Sequence, residues 1–262
     1  ASSRVRALCD AGDLLEPQPL RCNVGETVFE GALHRVGADT LVLELEPVDP
    51  LPPMLHSVQI DGTQLLRSLG MAVQRISEAA SIGVLTDGVV QQLRDIVGYD
   101  RVMVYRFDPD GHGKIIAEAS DPRLESLIGH RYPATDIPQR ARELYLRNRV
   151  RVLVDVHYEP SELLPQRPPG GGGPLGELDM SLCYLRSMSP LHLQYLKNMG
   201  VTATLVISLV REGKLWGLIA CHHYQPRNLP YAVCAACELL GDALFTGTAT
   251  TENYTRAQVA LQ

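Results

Sequence analysis

The chain has 262 residues, 45% of them apolar, with a formal net charge of -6, three Phe and one Trp. That length supports one large domain, or one with a smaller companion, and an acidic balance with few stacking rings excludes the basic, aromatic-studded face of a nucleic-acid binder. No apolar run approaches the roughly 20 residues that span a bilayer, the first residues lack the apolar segment of a secretion signal, and six scattered Cys suit free thiols in a reducing cytoplasm.

The elements begin with strands at Leu20–Val24, Thr27–Arg35 and Thr40–Glu46, separated by turn signals at Gly25-Glu26 and Gly37-Ala38-Asp39. Leu41, Leu43 and Leu45 alternate with Val42, Glu44 and Glu46. Three strands are too few to stand alone, so this sheet is expected to pack on elements later in the chain. A proline-rich joint, Pro47 to Pro53, leads to helical spacing over about Thr63–Ile76 and again over Gly83–Val97. Arg101–Phe107 and Gly113–Ala119 flank the turn-rich Asp108–His112 and form a hairpin. Helical spacing returns at Gln139–Asn148, followed by a strand at Arg151–Asp155. The segment from His157 to Glu177 carries five prolines and four consecutive glycines, a functional or disordered loop, or a linker. A helix at Pro190–Asn198, strands at Val201–Val210 and Leu215–Tyr224, and a final helix from about Tyr231 complete the order. This alternation specifies an α+β fold with a central antiparallel sheet flanked by helices. Val233, Cys237, Leu240 and Leu244 form an apolar stripe on the last helix, suited to packing in cis or across a dimer.

Several residues have a plain local reading. Asp136 before Ile137-Pro138 reads as an N-cap of the following helix. His192 shares a helix face with Tyr195. His222 and His223 are successive strand residues that point to opposite faces and cannot ligate one metal ion together. Cys234-Ala-Ala-Cys237 has redox or zinc spacing without a second pair, and reads as small core residues. Gly170–Gly173 lacks the Lys-Ser/Thr of a phosphate loop. Period two places Thr202, Thr204, Val206 and Ser208 on one strand face, able to line a polar cavity or to meet solvent. The forks of Arg151 and Arg186 would suit paired carboxylates if they converged.

Five segments in register, Asp100–Phe107, Pro133–Pro138, Leu185–Pro190, His192–Leu196 and Lys214–His223, resemble the GAF domain of a bacteriophytochrome. The similarity covers roughly residues 65–246, and residues 18–48 resemble, more weakly, the second half of a PAS domain. The domain division this implies is a partial PAS-like segment at 1–60, a GAF chromophore-binding domain at 61–246 and the start of a connecting helix at 247–262. The resemblance implies a biliverdin-binding red/far-red photoreceptor fragment, cytoplasmic and non-catalytic, homodimeric through its C-terminal helix, whose parent signals through an output kinase. It further implies that Asp136 and His192 lie at the pyrrole nitrogens, with Arg151, Arg186 and Thr204 toward the propionates. Tyr105, Tyr132 and Tyr145 would surround the isomerising ring, His222 would reach its carbonyl, Ile137 and Pro138 would pack on the ring plane, and Met188 and Ser189 complete the pocket. Retention of Asp136 implies photoswitching.

The chain departs from that family at the attachment thiol. The upstream Cys and the Ile-Gln-Pro-His-Gly motif of bacteriophytochromes have no counterpart, and the first half of the PAS domain is expected to be missing. Leu191 stands where plant and many cyanobacterial phytochromes carry the linking Cys. Cys183 is the nearby candidate, and Cys9 is the one thiol upstream of the strands. Two other classes fit the same domain: a GAF sensor of a nucleotide or metabolite, which would not need Asp136 with a tyrosine trio, and a dimerisation module with no pigment.

Overall fold

The computed structural model describes residues 2–10, 14–37, 40–48, 78–162 and 178–246, together with 67, 68, 70–72, 74, 75 and 164. Most of the proline-rich joint, much of the helix expected at 63–76, the glycine run and the tail from 247 lie outside the described residues.

A helix that sequence spacing did not reveal, α1 (Ser2–Asp10), precedes strands β1 (Gln18–Val24), β2 (Thr27–Val36) and β3 (Thr40–Pro47). These three pair antiparallel in the order β1-β2-β3. Register puts Leu33 beside Leu43, and Leu20 beside Gly31 and Leu45, on one face; Ala32 and Glu44 share the other with the pairs His34–Val42 and Glu30–Glu46. The leucine face is covered only in part, with Leu20 and Leu33 3% and 1% exposed but Leu41 and Leu43 42% and 44%. The glutamate face seats the sheet on the rest of the chain, because Glu44 finds backbone donors there.

The larger sheet contains β4 (Arg101–Phe107), β5 (Gly113–Ser120), β6 (Arg131–Tyr132), β7 (Val150–Leu153), β8 (Ala203–Arg211) and β9 (Lys214–His223), in the order β6-β5-β4-β9-β8-β7. Its helices are α2 (Ile82–Val97), α3 (Gln139–Arg147), α4 (Pro190–Asn198) and α5 (Tyr231–Thr246). Ser81 caps α2 through its hydroxyl on the Val84 N–H, and Gly98 closes it in the left-handed region at φ 61°.

Period two divides the sheet between two jobs. Val102, Val104, Leu205, Ile207, Leu209, Ile219 and Cys221 face α2 and α5 and join one core with Val89, Leu93, Leu240 and Leu244. Each fully buried Leu, Ile or Val there contributes roughly 1.5–3 kcal/mol. The alternate residues Met103, Tyr105, Val206 and Leu218 face the other way, toward α3 and α4. The stripe on α5 is therefore core in cis: Val233, Cys237, Leu240 and Leu244 are at most 2% exposed. A dimer interface through Val233 and Leu240 is excluded, since the chain's own sheet already covers them. No helix among the described residues is long and apolar enough to cross a membrane.

Candidate functional site

On the sheet face away from α2 and α5 lies a cavity of about 520 Å³, within the size range of small-molecule sites. Its floor is Met103, Tyr105, Ile115, Thr204, Val206, Leu218, Ala220 and His222. The Thr204–Val206 strand face thus turns to the cavity and not to solvent, with Thr204 2% and Val206 8% exposed. Ser208, further along, is spent on structure and donates its hydroxyl to the Tyr145 carbonyl at 2.7 Å.

One end is cationic. Arg151 reaches from β7 and donates to the carbonyls of Tyr184 (3.0 Å), Arg186 and Ser187 (3.0 Å), while Arg186 donates to the Cys183 carbonyl at 2.7 Å. Among the described residues neither guanidinium forms an ion pair. Burial and the neighbouring Arg186 push Arg151 down to about 10, still fully cationic at neutral pH. Two desolvated, unneutralised cations in one cavity favour an anionic guest.

The opposite wall is the Pro133–Pro138 segment. Ala134–Asp136 is a single 3₁₀ turn, and α3 is capped by Pro138 with no side-chain hydrogen bond. Asp136 is therefore not the N-cap that local sequence suggests. Pro138 holds Ile137 extended at φ -124°, ψ 86°, which detaches Asp136 from the helix. The Asp136 carboxylate is exposed on the cavity side and makes no hydrogen bond or ion pair among the described residues. Arg142 ties this wall down by donating to Ile137 O (2.8 Å), Gly111 O (2.6 Å) and Ala134 O (3.3 Å).

Tyr105, Tyr132 and Tyr145 all line the cavity and pack in one apolar cluster. Tyr105 packs against Tyr132 with centroids 5.9 Å apart, and burial raises its phenol to about 12 against the pull of Arg142, with Asp136, Tyr195 and Tyr132 adding to the rise. Burial raises the Tyr145 phenol against the pull of Arg151 and Arg186. The ring beside Tyr105, Tyr132 and Asp136 is Tyr195, stacked on His192 at 6.2 Å.

Three buried polar atoms at the cavity have no partner among the described residues: Tyr105 Oη, Thr204 Oγ1 and His222 Nδ1. Thr204 and His222 are cross-strand neighbours. Burial, with Arg101 and His192 nearby, pushes His222 down to about 4, and burial with Arg151 lowers His192. Both imidazoles are thus neutral near pH 7, each offering one donor and one acceptor. Ile137, Pro138, Met188 and Ser189 also line the cavity. Ser189 precedes α4 without capping it, which leaves its hydroxyl on the wall.

None of the six cysteines lines the cavity. Cys183 is fully buried with its Sγ 3.8 Å from His34 Nε2, and burial with Glu44 raises its thiol to about 11. It is neither on the wall nor a ready thiolate, so the cavity offers no support for it as the attachment residue. Leu191, on the wall, is 84% exposed. Spacing along the sequence put Tyr195 beside His192 but missed Met103, Leu218 and Ala220 as lining residues, although period two on β4 and β9 puts Met103 with Tyr105, and Leu218 and Ala220 with His222. Among the described residues no group of His, Cys, Asp and Glu could hold a metal ion.

The sequence pattern of the GAF domain matches residues 81–244. The chain is 42% identical to cyanobacterial phytochrome B of Nostoc sp. over 81% of its own length and 27% of that protein. It is 46% identical to a bacteriophytochrome of Xanthomonas campestris pv. campestris over 82% of its length and 32% of that protein. It thus spans about a third or less of these relatives. Its fold superposes on the chromophore-binding domain of the bacteriophytochrome RpBphP3 from R. palustris with a TM-score of 0.78 and 38% identity, covering 93% of this chain and 77% of that one.

Proposed function

Because the chain belongs to the GAF domain family and, within it, to the bacteriophytochromes, we propose that its cavity holds biliverdin and that the fragment is a red/far-red photoreceptor module. The observation that carries this reading is the pair Arg151 and Arg186, two cations that form no ion pair among the described residues, at one end of a mostly apolar cavity. Biliverdin is a flat apolar molecule with two propionates, a few pyrrole N–H groups and terminal carbonyls, and the residues present fit that inventory. Tyr105 Oη, Thr204 Oγ1 and His222 Nδ1 are buried atoms that need a guest to satisfy them.

In this reading Arg151 and Arg186 hold the propionates, with Thr204 adding a hydrogen bond. His192 lines the cavity and, being neutral, donates and accepts at once. Asp136, exposed on the wall, supplies the negative charge that balances a protonated chromophore. Tyr105, Tyr132 and Tyr195 enclose the end where a ring turns, and His222 reaches that ring's carbonyl. The bound tetrapyrrole supplies light absorption and double-bond isomerisation; the protein positions, desolvates and reports. Residues 1–60 act as the PAS-like companion, and the longer parent passes the signal to an output domain.

Titration of the apoprotein with biliverdin, followed by its visible spectrum, tests the proposal. We expect saturable binding that weakens by about 100-fold in the Arg151→Leu, Arg186→Leu double variant, from the loss of two charge-assisted contacts of roughly 1.5 kcal/mol each. With no thiol on the wall, the pigment should leave the acid-denatured chain. Equal affinity in the double variant would refute the assignment of the arginines.

A further inference from the structure

The N-terminal sheet contributes a carboxylate to the back of the cavity wall. Glu44, on β3, is 9% exposed. Its Oε2 accepts from the Tyr184 N–H at 2.8 Å and its Oε1 from the Leu185 N–H at 2.7 Å. The same stretch of backbone turns its carbonyls the other way. Those of Tyr184, Arg186 and Ser187 accept from Arg151, and that of Cys183 accepts from Arg186. One layer of peptide units therefore separates an anion from two cations, with N–H groups toward the anion and C=O groups toward the cations. Each charge polarises the peptides in the sense that strengthens the other's hydrogen bonds.

Residues 183–187 lie outside any helix or strand, so the segment has no regular ladder to fix its path. Its tethers are the side chains on either side. Without Glu44, two part-buried N–H groups lose their acceptor, and the carbonyls that orient Arg151 lose their support.

We infer that Glu44 is a positioning residue of the ligand site, which fixes the 183–187 segment so that Arg151 and Arg186 are presented to the carboxylates of the guest. The N-terminal sheet is thereby part of the binding site and not merely its neighbour. This rests on the bilin reading of the cavity, and its signature is selectivity for acid over ester. A role in folding alone would weaken every ligand alike.

The test compares biliverdin with biliverdin dimethyl ester on the wild-type chain, Glu44→Ala and Glu44→Gln, with amide hydrogen exchange of the ligand-free proteins alongside. The wild type should prefer the diacid; Glu44→Ala should shrink that preference about tenfold while ester affinity stays within about twofold. Glu44→Gln, which keeps volume and one acceptor, should fall between, and it carries the comparison if the alanine variant does not fold. In both variants the Tyr184 and Leu185 amides should exchange faster while those of β8 and β9 keep their protection. Equal weakening of both bilins, an unchanged preference, or retained protection at 184 and 185 would overturn the role of Glu44 alone. A wild-type chain that binds neither probe would overturn the bilin reading and the inference with it.

Discussion

Replacing Gly113 with alanine should expel the Tyr105 ring from its place on the cavity floor. A Cβ at 113 would lie 1.7 Å from Tyr105 Cζ and 1.9 Å from its Oη, so the two cannot coexist. The ring is the far end of a side chain with two torsions, so it moves and the strands stay. It leaves a site where it is 7% exposed and packed at 5.1 Å on Phe107 and 5.9 Å on Tyr132. Overpacking of this kind costs about 1–3 kcal/mol. Absent the ring, the sign reverses: glycine to alanine at a compatible backbone position gains about 0.4–1 kcal/mol by restricting the unfolded chain. Leucine at 105 ends short of the atoms that the methyl meets. A double-mutant cycle of Gly113→Ala and Tyr105→Leu by urea unfolding should therefore give a coupling of about 1.5–4 kcal/mol, with Gly113→Ala neutral or stabilising in the leucine background. The same cost in both backgrounds would refute the claim that Gly113 exists to admit this ring.

The contribution of His222 to the stability of the apoprotein should fall on mild acidification. His222 stays neutral down to about 4 in the fold, against 6.5 for an ordinary histidine, so protons bind the unfolded chain first. This contribution is full above pH 6.5 and is lost as pH falls toward 4, by at most about 3 kcal/mol, of which about 2 is gone by pH 5, while Glu46, raised to about 7 by burial and Glu44, acts in the opposite sense. His34 and His192 shift in the same direction as His222. Between pH 7 and pH 5, His222→Asn should lose about 2 kcal/mol less stability than the wild type in urea unfolding, and parallel pH profiles would contradict it. Leu240→Ala should cost about 2–5 kcal/mol in urea with no change of mass by light scattering; a mass halved at unchanged stability would restore a dimer seam on α5. Arg142→Met should lose about 1.5–3 kcal/mol and speed amide exchange of residues 135–137, whereas unchanged exchange would mean that Arg142 does not hold the Asp136 wall.

Regular elements were legible because their periodicity is local. The β4, β5, β8 and β9 hairpins match the sequence spacing to within two or three residues, and alternation on β8 correctly separated Thr204 from the core-facing Leu205 and Ile207. His222 and His223 diverge as strand geometry requires, His222 onto the cavity and His223 toward Asp100, with its Nδ1 2.6 Å from the carboxylate. What sequence could not give is the side on which a face finds its partner. Alternation on β3 does not say which face packs, and Glu44 does so because the N–H groups of Tyr184 and Leu185 need an acceptor. The α5 stripe fitted a dimer as well as a core, and only the position of β8 decides between them. Asp136 read as a cap because the chemistry of capping is local, while its detachment comes from the conformation that Pro138 imposes on Ile137. The cavity residues themselves were named through family resemblance; spacing alone gave Thr204 and the His192–Tyr195 face, and left the arginines as surface cations.

A visible spectrum of purified apoprotein mixed with biliverdin, recorded before and after far-red illumination, decides whether the cavity is a bilin site. We expect a sharpened far-red band that illumination diminishes and that recovers in darkness, since Asp136 remains beside the pigment and Tyr105, Tyr132 and Tyr195 leave one ring able to turn. A spectrum indistinguishable from that of free biliverdin, unchanged by light, would contradict the bilin reading.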